Sequence, residues 1–222
     1  MALRQILCFG DSLTWGWVPV PEGTPTTRYA AEKRWPGVMG RCLGPSYRVI
    51  EEGLSARTTS IADPNDARLD GSAYLPTALA SHLPLDLVVV MLGTNDAKIA
   101  YGRTPHEIAL GMARLIGQVK ASGGGVGTAY PAPKMLVVAP PPLGPIPGPW
   151  LAAQFAGAEP KMAALAAQYE GLAIAKGVGF LDAGQHVTTD GIDGVHFTPE
   201  NNEALGSAVA AAVRALLDGE HS

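Results

Sequence analysis

Between Asp86 and Gly93 the chain reads Leu-Val-Val-Val-Met-Leu, an apolar run with no polar residue in it. A strand with one face in water alternates apolar and polar side chains. An unbroken run has to be covered on both faces, as a parallel strand is when helices lie above and below it. Residues 86–92 are the clearest of five strand candidates. The others are residues 5–9, 47–50, 134–139 and, more weakly, 178–181. Helical patterns separate them. Thr104-Pro105-His106-Glu107 is a capping box with proline at the first helical position, and Ile108, Met112, Leu115, Ile116 and Val119 then follow helical spacing. Thr198-Pro199 opens a last helix with Leu205, Val209, Ala212, Val213 and Leu216 on one face. Residues 161–176 form an alanine-rich helix, and residues 35–43 and 72–83 are shorter candidates. Alternating strands and helices predict an α/β sandwich on a mostly parallel five-stranded sheet, one domain over residues 1–222.

Composition removes several classes. Hydrophobic residues are 47% and charged residues 16%, against about 25% charged in ordinary domains, so a disordered chain is excluded. The net charge of −4 gives no basic surface for a nucleic-acid partner. No apolar run reaches the length of a membrane span, and the first residues carry no secretory pattern. Two cysteines, Cys8 and Cys42, can build neither a disulfide framework nor a structural zinc site. A cytoplasmic protein without metal or other cofactor is the expectation.

In open α/β sheets ligands bind beyond the carboxyl ends of the strands. The first strand is followed by Gly10-Asp11-Ser12-Leu13 and the second by Gly53-Leu54-Ser55-Ala56-Arg57. The third is followed by Gly93-Thr94-Asn95-Asp96. The fourth runs into the proline-rich loop 140–149, and beyond the fifth comes Asp190-Gly191-Ile192-Asp193-Gly194-Val195-His196. These residue types suit acyl transfer. A serine hydroxyl needs a base to take its proton, a histidine can do so, and a carboxylate must fix the tautomer of that histidine. Asp193 and His196 stand three apart, within reach of each other in a short turn. The oxyanion needs donors. Candidates are the Ser12 N–H, a backbone N–H in the turn 53–56, and the Asn95 amide.

Blander readings compete. Ser12 could cap a helix and Asn95 could serve a turn, but the full set of serine, asparagine, aspartate and histidine outweighs both. Asp96 is expected to cap the segment after it. His82, His106 and His221 are expected on the surface or at caps. His186 with Asp182 and Asp190 has no recognised metal spacing. The stretch 123–127 comes after a helix and lacks Gly-Lys-Ser/Thr, so it is a loop and no phosphate cradle. Thr14 occupies the last position of a would-be Gly-x-Ser-x-Gly elbow, which argues against an ordinary α/β-hydrolase.

Gly10-Asp11-Ser12-Leu13, Gly93-Thr94-Asn95-Asp96 and Asp193-Gly194-Val195-His196, in this order and at these separations, resemble three of the four blocks of the SGNH (GDSL) hydrolases. The wording of residues 9–16 and 51–58 resembles the mycobacterial-type arylesterase/acyltransferase branch. The resemblance implies a flavodoxin-like three-layer sandwich and a catalytic triad of Ser12, His196 and Asp193. It implies an oxyanion hole of Ser12, Ala56 and Asn95. Many members carry glycine where Ala56 stands, which leaves Gly53 as the rival donor. It places Trp17, Lys98, Leu151, Phe155 and Val195 around the acyl and alcohol pockets. Partners would be small ester and alcohol substrates, with water, alcohols, amines or peroxide accepting the acyl group. A homo-oligomer, up to an octamer, would have neighbouring subunits narrowing the entrance. The apolar proline-rich loops 18–25 and 140–151 point the same way, being too large to leave bare on a monomer. A carbohydrate acetyl-esterase of the same superfamily and a catalytically idle binding module are the alternatives.

Overall fold

The computed structural model describes residues 3–189 and 192–219. Five parallel strands form one sheet: β1 (Arg4–Gly10), β2 (Tyr47–Gly53), β3 (Leu87–Met91), β4 (Lys134–Ala139) and β5 (Gly179–Asp182). Their spatial order is β2-β1-β3-β4-β5, the flavodoxin-like order. Seven helices accompany them among the described residues: α1 (Ser12–Trp15), α2 (Trp35–Leu43), α3 (Gly71–His82), α4 (Pro105–Lys120), α5 (Pro149–Gln154), α6 (Glu159–Lys176) and α7 (Pro199–Asp218).

The sheet has helices on both faces, which is why its central strands need no alternation. Strand geometry sends Ile6, Cys8, Leu87, Val89 and Met91 to one face, against Trp35 and Met39 of α2 and Leu205, Val209 and Val213 of α7. It sends Leu7, Phe9, Val88 and Val90 to the other, against Leu75 of α3, Met112 and Leu115 of α4, and Leu165 and Tyr169 of α6. β3 is buried at every position. The expected capping box forms at the start of α4, and a second one opens α7. Thr104 pairs with Glu107, and Thr198 pairs with Asn201, which does the work of the usual glutamate.

Element ends shift where backbone bonding outlasts the apolar pattern. β2 continues past Ile50 to Gly53, because Glu51, Glu52 and Gly53 stay in register with Cys8, Phe9 and Gly10. The glycines of that last pair let α1 lie across the strand ends. A Cβ on Gly10 would come within 2.1 Å of Thr14 Oγ1, and one on Gly53 within 2.3 Å of the Trp15 nitrogen. The proline-rich loop is less superficial than expected. Leu143 and Ile146 pack on the core, and the segment ends in a short helix, α5, that the sequence pattern does not announce. Asp190, Gly191 and His221 lie outside the described residues.

Candidate active site

The order reversal between β1 and its two neighbours opens a crevice at their carboxyl ends. Ser12 sits there as the first residue of α1. The cap of that helix is Asp11, whose Oδ1 accepts the Leu13 N–H at 3.0 Å, so Ser12 is released from the capping role. Ser12 Oγ lies 3.0 Å from His196 Nε2, and His196 Nδ1 lies 2.8 Å from Asp193 Oδ2. The other oxygen of Asp193 accepts the backbone N–H of Val195 at 3.0 Å and of His196 at 2.8 Å. Burial alone would raise the Asp193 carboxyl; the bonds from the His196 ring and these backbone groups outweigh it and hold the carboxyl below its ordinary value. Asp193 is therefore an anion fixed at both oxygens. Gly194 makes the tight turn possible. It has φ +74°, and a Cβ there would meet Pro145 O at 2.3 Å.

Asn95 stands in the turn after β3. Its Nδ2 donates to Arg57 O at 3.2 Å and to Asp11 Oδ2 at 3.3 Å, both long bonds. Ala56 lies in a turn closed by the Arg57 N–H on Leu54 O at 3.1 Å, and it has φ +69°. It is the one non-glycine residue with positive φ among those described. An L-residue in this region costs about 1–2 kcal/mol, which explains why glycine suits the position. Ser12, Ala56, Asn95 and His196 all line one cavity of about 210 Å³. Gly53 is instead part of β2 beneath α1. Of the two rivals, Ala56 is the residue at the cavity.

The five expected pocket residues, Trp17, Lys98, Leu151, Phe155 and Val195, line the same cavity. Trp17 lies nearly parallel to the His196 ring, with centroids 5.0 Å apart and an interplanar angle of 16°. Lys98 Nζ sits 5.5 Å from the centre of the Phe155 ring. Burial lowers the Lys98 ammonium, with Asp11 and Asp63 partly offsetting it. Burial also pushes the Asp11 carboxyl up to about 7, against the Leu13 N–H and the charges of Lys98 and Arg57.

Sequence reasoning misplaced Asp96. It caps nothing. Fully buried, it accepts the Thr59 N–H at 2.9 Å, the Thr59 hydroxyl at 2.6 Å and Arg103 Nη1 at 2.6 Å. A buried carboxylate needs such partners, and here they tie the turn after β2 to the turn after β3. His82 does more than cover surface, since its Nε2 bonds Glu52 Oε1 at 2.8 Å. His106 and His186 are exposed. Among the described residues, no group of three His, Cys, Asp or Glu is placed to hold a metal ion.

The GDSL-like lipase/acylhydrolase family model matches residues 8–204, spanning the turns that carry Ser12, Ala56, Asn95, Asp193 and His196. The chain belongs to the GDSL-like lipase/acylhydrolase family. Membership makes it an ester hydrolase. Comparison with curated protein sequences returned no match. Among solved structures, a carbohydrate acetylesterase from Sinorhizobium meliloti is 60% identical, with a TM-score of 0.95 over 96% of this chain and 99% of its own. The native aryl esterase of M. smegmatis is also 60% identical, with a TM-score of 0.95 over 96% of this chain and all of its own. A second S. meliloti carbohydrate acetylesterase family member is 39% identical, with a TM-score of 0.87 over 97% and 99% of the two chains.

In this member of the family the cavity has further walls that sequence reasoning left unassigned. Glu22, Gly23 and Thr24 come from the excursion between α1 and α2, and Gln154 comes from α5, beside Trp150, which also lines the cavity. The excursion returns on itself through the Trp17–Arg28 bridge, and a Cβ on Gly23 would lie 3.7 Å from the Leu151 side chain. The only signal in the sequence was the apolar character of the two loops.

Proposed function

We propose that this ester hydrolase is a serine esterase and acyltransferase acting on short-chain or aryl esters. Ser12 attacks the ester carbonyl, His196 takes the serine proton and later protonates the departing alcohol, and Asp193 holds the imidazole with Nδ1 protonated. The Ser12 N–H, the Ala56 N–H and the Asn95 amide receive the oxyanion. The observation that carries this reading is the continuous chain from Ser12 Oγ through His196 to Asp193, with links of 3.0 and 2.8 Å. A cavity of about 210 Å³ lies below the roughly 300–1,000 Å³ of sites for drug-sized ligands and favours a small acyl group.

Transfer to an alcohol is supported by the cavity walls. Trp17 is stacked on the His196 ring, and Leu151, Phe155 and Val195 offer apolar contact to an alcohol's carbon chain. Bound and aligned, an alcohol can outcompete water far more abundant than itself. A homo-oligomer is supported by Trp150, which lines the cavity yet is 73% exposed, and by Ile192, which is 49% exposed. A cytoplasmic setting is supported by two free thiols, Cys8 and Cys42. No helix among the described residues is long and apolar enough to cross a membrane.

Deacetylation of a carbohydrate is the second reading, favoured by the S. meliloti acetylesterase at 60% identity. One panel tests both: p-nitrophenyl esters of rising chain length and a peracetylated sugar, each with and without benzyl alcohol, on the native chain and on Ser12→Ala. The expected result is rapid turnover of short acyl esters, formation of the benzyl ester, and a loss on the order of 10⁶ in Ser12→Ala. Near-normal turnover in folded Ser12→Ala would refute the serine mechanism. New ester formed no faster than the alcohol-to-water ratio would refute the transferase part.

A further inference from the structure

Ala56 holds a backbone conformation that is uphill for alanine, at a residue the proposed mechanism uses as an oxyanion donor. Something must keep it there. The residue after it, Arg57, is 2% exposed, yet its hydrogen bonds go to backbone carbonyls. Arg57 Nη1 donates to Gly10 O at 2.9 Å and also to Glu52 O. The guanidinium lies 4.1 Å from the centre of the Phe9 ring and 5.4 Å from that of Tyr74. The backbone of Arg57 is equally committed. Its N–H closes the turn onto Leu54 O, and its carbonyl accepts the Asn95 amide at 3.2 Å.

One residue thus joins four pieces. Gly10 precedes Asp11 and Ser12, Glu52 lies near the end of the strand that leads into the Ala56 turn, Arg57 itself follows Ala56, and Asn95 hangs from the Arg57 carbonyl. A buried cation bonded to two strand-end carbonyls is placed to anchor backbone. We propose that Arg57 is a positioning residue of the oxyanion hole: it holds Ala56 in its left-handed conformation and thereby sets the Ala56 N–H and the Asn95 amide at their separation from Ser12. This inference rests on the oxyanion roles proposed for Ala56 and Asn95. Arg57 touches no substrate, and its effect passes through the two donors.

Glycine adopts positive φ without strain, so a glycine in place of Ala56 should make the anchor less necessary. A double-mutant cycle on p-nitrophenyl acetate hydrolysis reads this directly. Arg57→Met in the native background is expected to lower kcat about 100-fold with KM changed less than about threefold, the scale of a small misplacement of catalytic groups. Arg57→Lys keeps the cation, but its side chain ends one atom short of the Nη1 position that bonds both carbonyls, so its loss should be smaller than that of Arg57→Met. In the Ala56→Gly background the same Arg57→Met change should cost less than about tenfold. Near-UV circular dichroism checks the fold of each variant, and Arg57→Lys carries the cycle if Arg57→Met does not fold. Equal fold-losses in the two backgrounds, or a loss in KM alone, would overturn the proposal. Absence of Ser12-dependent turnover in the native chain would overturn the parent reading, and this inference with it.

Discussion

Asp193→Asn changes one oxygen for one amide nitrogen and should disable the enzyme without unfolding it. In the native turn Oδ1 accepts two backbone N–H groups, at 3.0 and 2.8 Å, and Oδ2 accepts the His196 ring at 2.8 Å. An asparagine has one acceptor oxygen, and the two backbone donors will claim it. Its NH₂ then faces His196 Nδ1, which must give up its proton to accept. The proton moves to Nε2, the atom 3.0 Å from Ser12 Oγ, where it blocks removal of the serine proton. The volume is unchanged and both backbone bonds survive, so the unfolding temperature should stay close to that of the native chain. The corresponding change in a serine protease triad costs about 10⁴ in kcat, or roughly 5.5 kcal/mol of transition-state stabilisation. The assay is kcat on p-nitrophenyl acetate at neutral pH, with imidazole nitrogen chemical shifts reporting the tautomer. A variant within tenfold of native activity, or one with Nδ1 still protonated, would refute the reasoning.

Other substitutions probe the rest of the site. Asn95→Ala should lower kcat about 10²–10³-fold with little change in KM, measured by steady-state kinetics, since the lost donor serves mainly the oxyanion. Asp11→Asn should alter how stability depends on pH. Burial pushes the Asp11 carboxyl up to about 7, so between about pH 4 and pH 7 the folded chain holds a proton that the unfolded chain has released. The contribution of that carboxyl is therefore greatest below its unfolded value and is lost as pH rises towards 7. Urea unfolding should show Asp11→Asn gaining on the native chain over that window by at most about 4 kcal/mol and levelling above it. A difference independent of pH would refute this. Gly194→Ala combines φ +74° with a Cβ 2.3 Å from Pro145 O. It should cost about 2–4 kcal/mol, at roughly 2–4 °C of melting temperature per kcal/mol, and reduce kcat by displacing the turn that carries Asp193 and His196.

The sheet was legible because burial on two faces leaves a run such as Leu87–Met91 with no alternative. Ser12, Asn95, Asp193 and His196 were legible because each comes after a strand or in a turn that a parallel sheet must bring to one edge. The misreadings share a cause. Asp96 looks like a cap because its neighbours in sequence suit a turn, yet its partners Thr59 and Arg103 come from 37 and 7 positions away. α5 escaped notice because prolines fill the stretch before it, and only its packing beside the 18–25 excursion gives its side chains a wall to form.

By itself the sequence determined what is local or periodic: the buried strands, the capping box at Thr104, the order of elements and the identities of the groups that do chemistry. Those rest on hydrophobic pattern and side-chain type, which need no knowledge of distant neighbours. The tertiary structure decided that Ala56 and not Gly53 lines the cavity, how Trp17 lies on His196, and how Arg57 reaches across two strand ends. Each depends on a φ angle or a rotamer chosen by atoms from elsewhere in the chain. Ala56 shows the division most plainly. Its preference as an isolated residue is against the conformation it holds, and the surrounding fold overrules it.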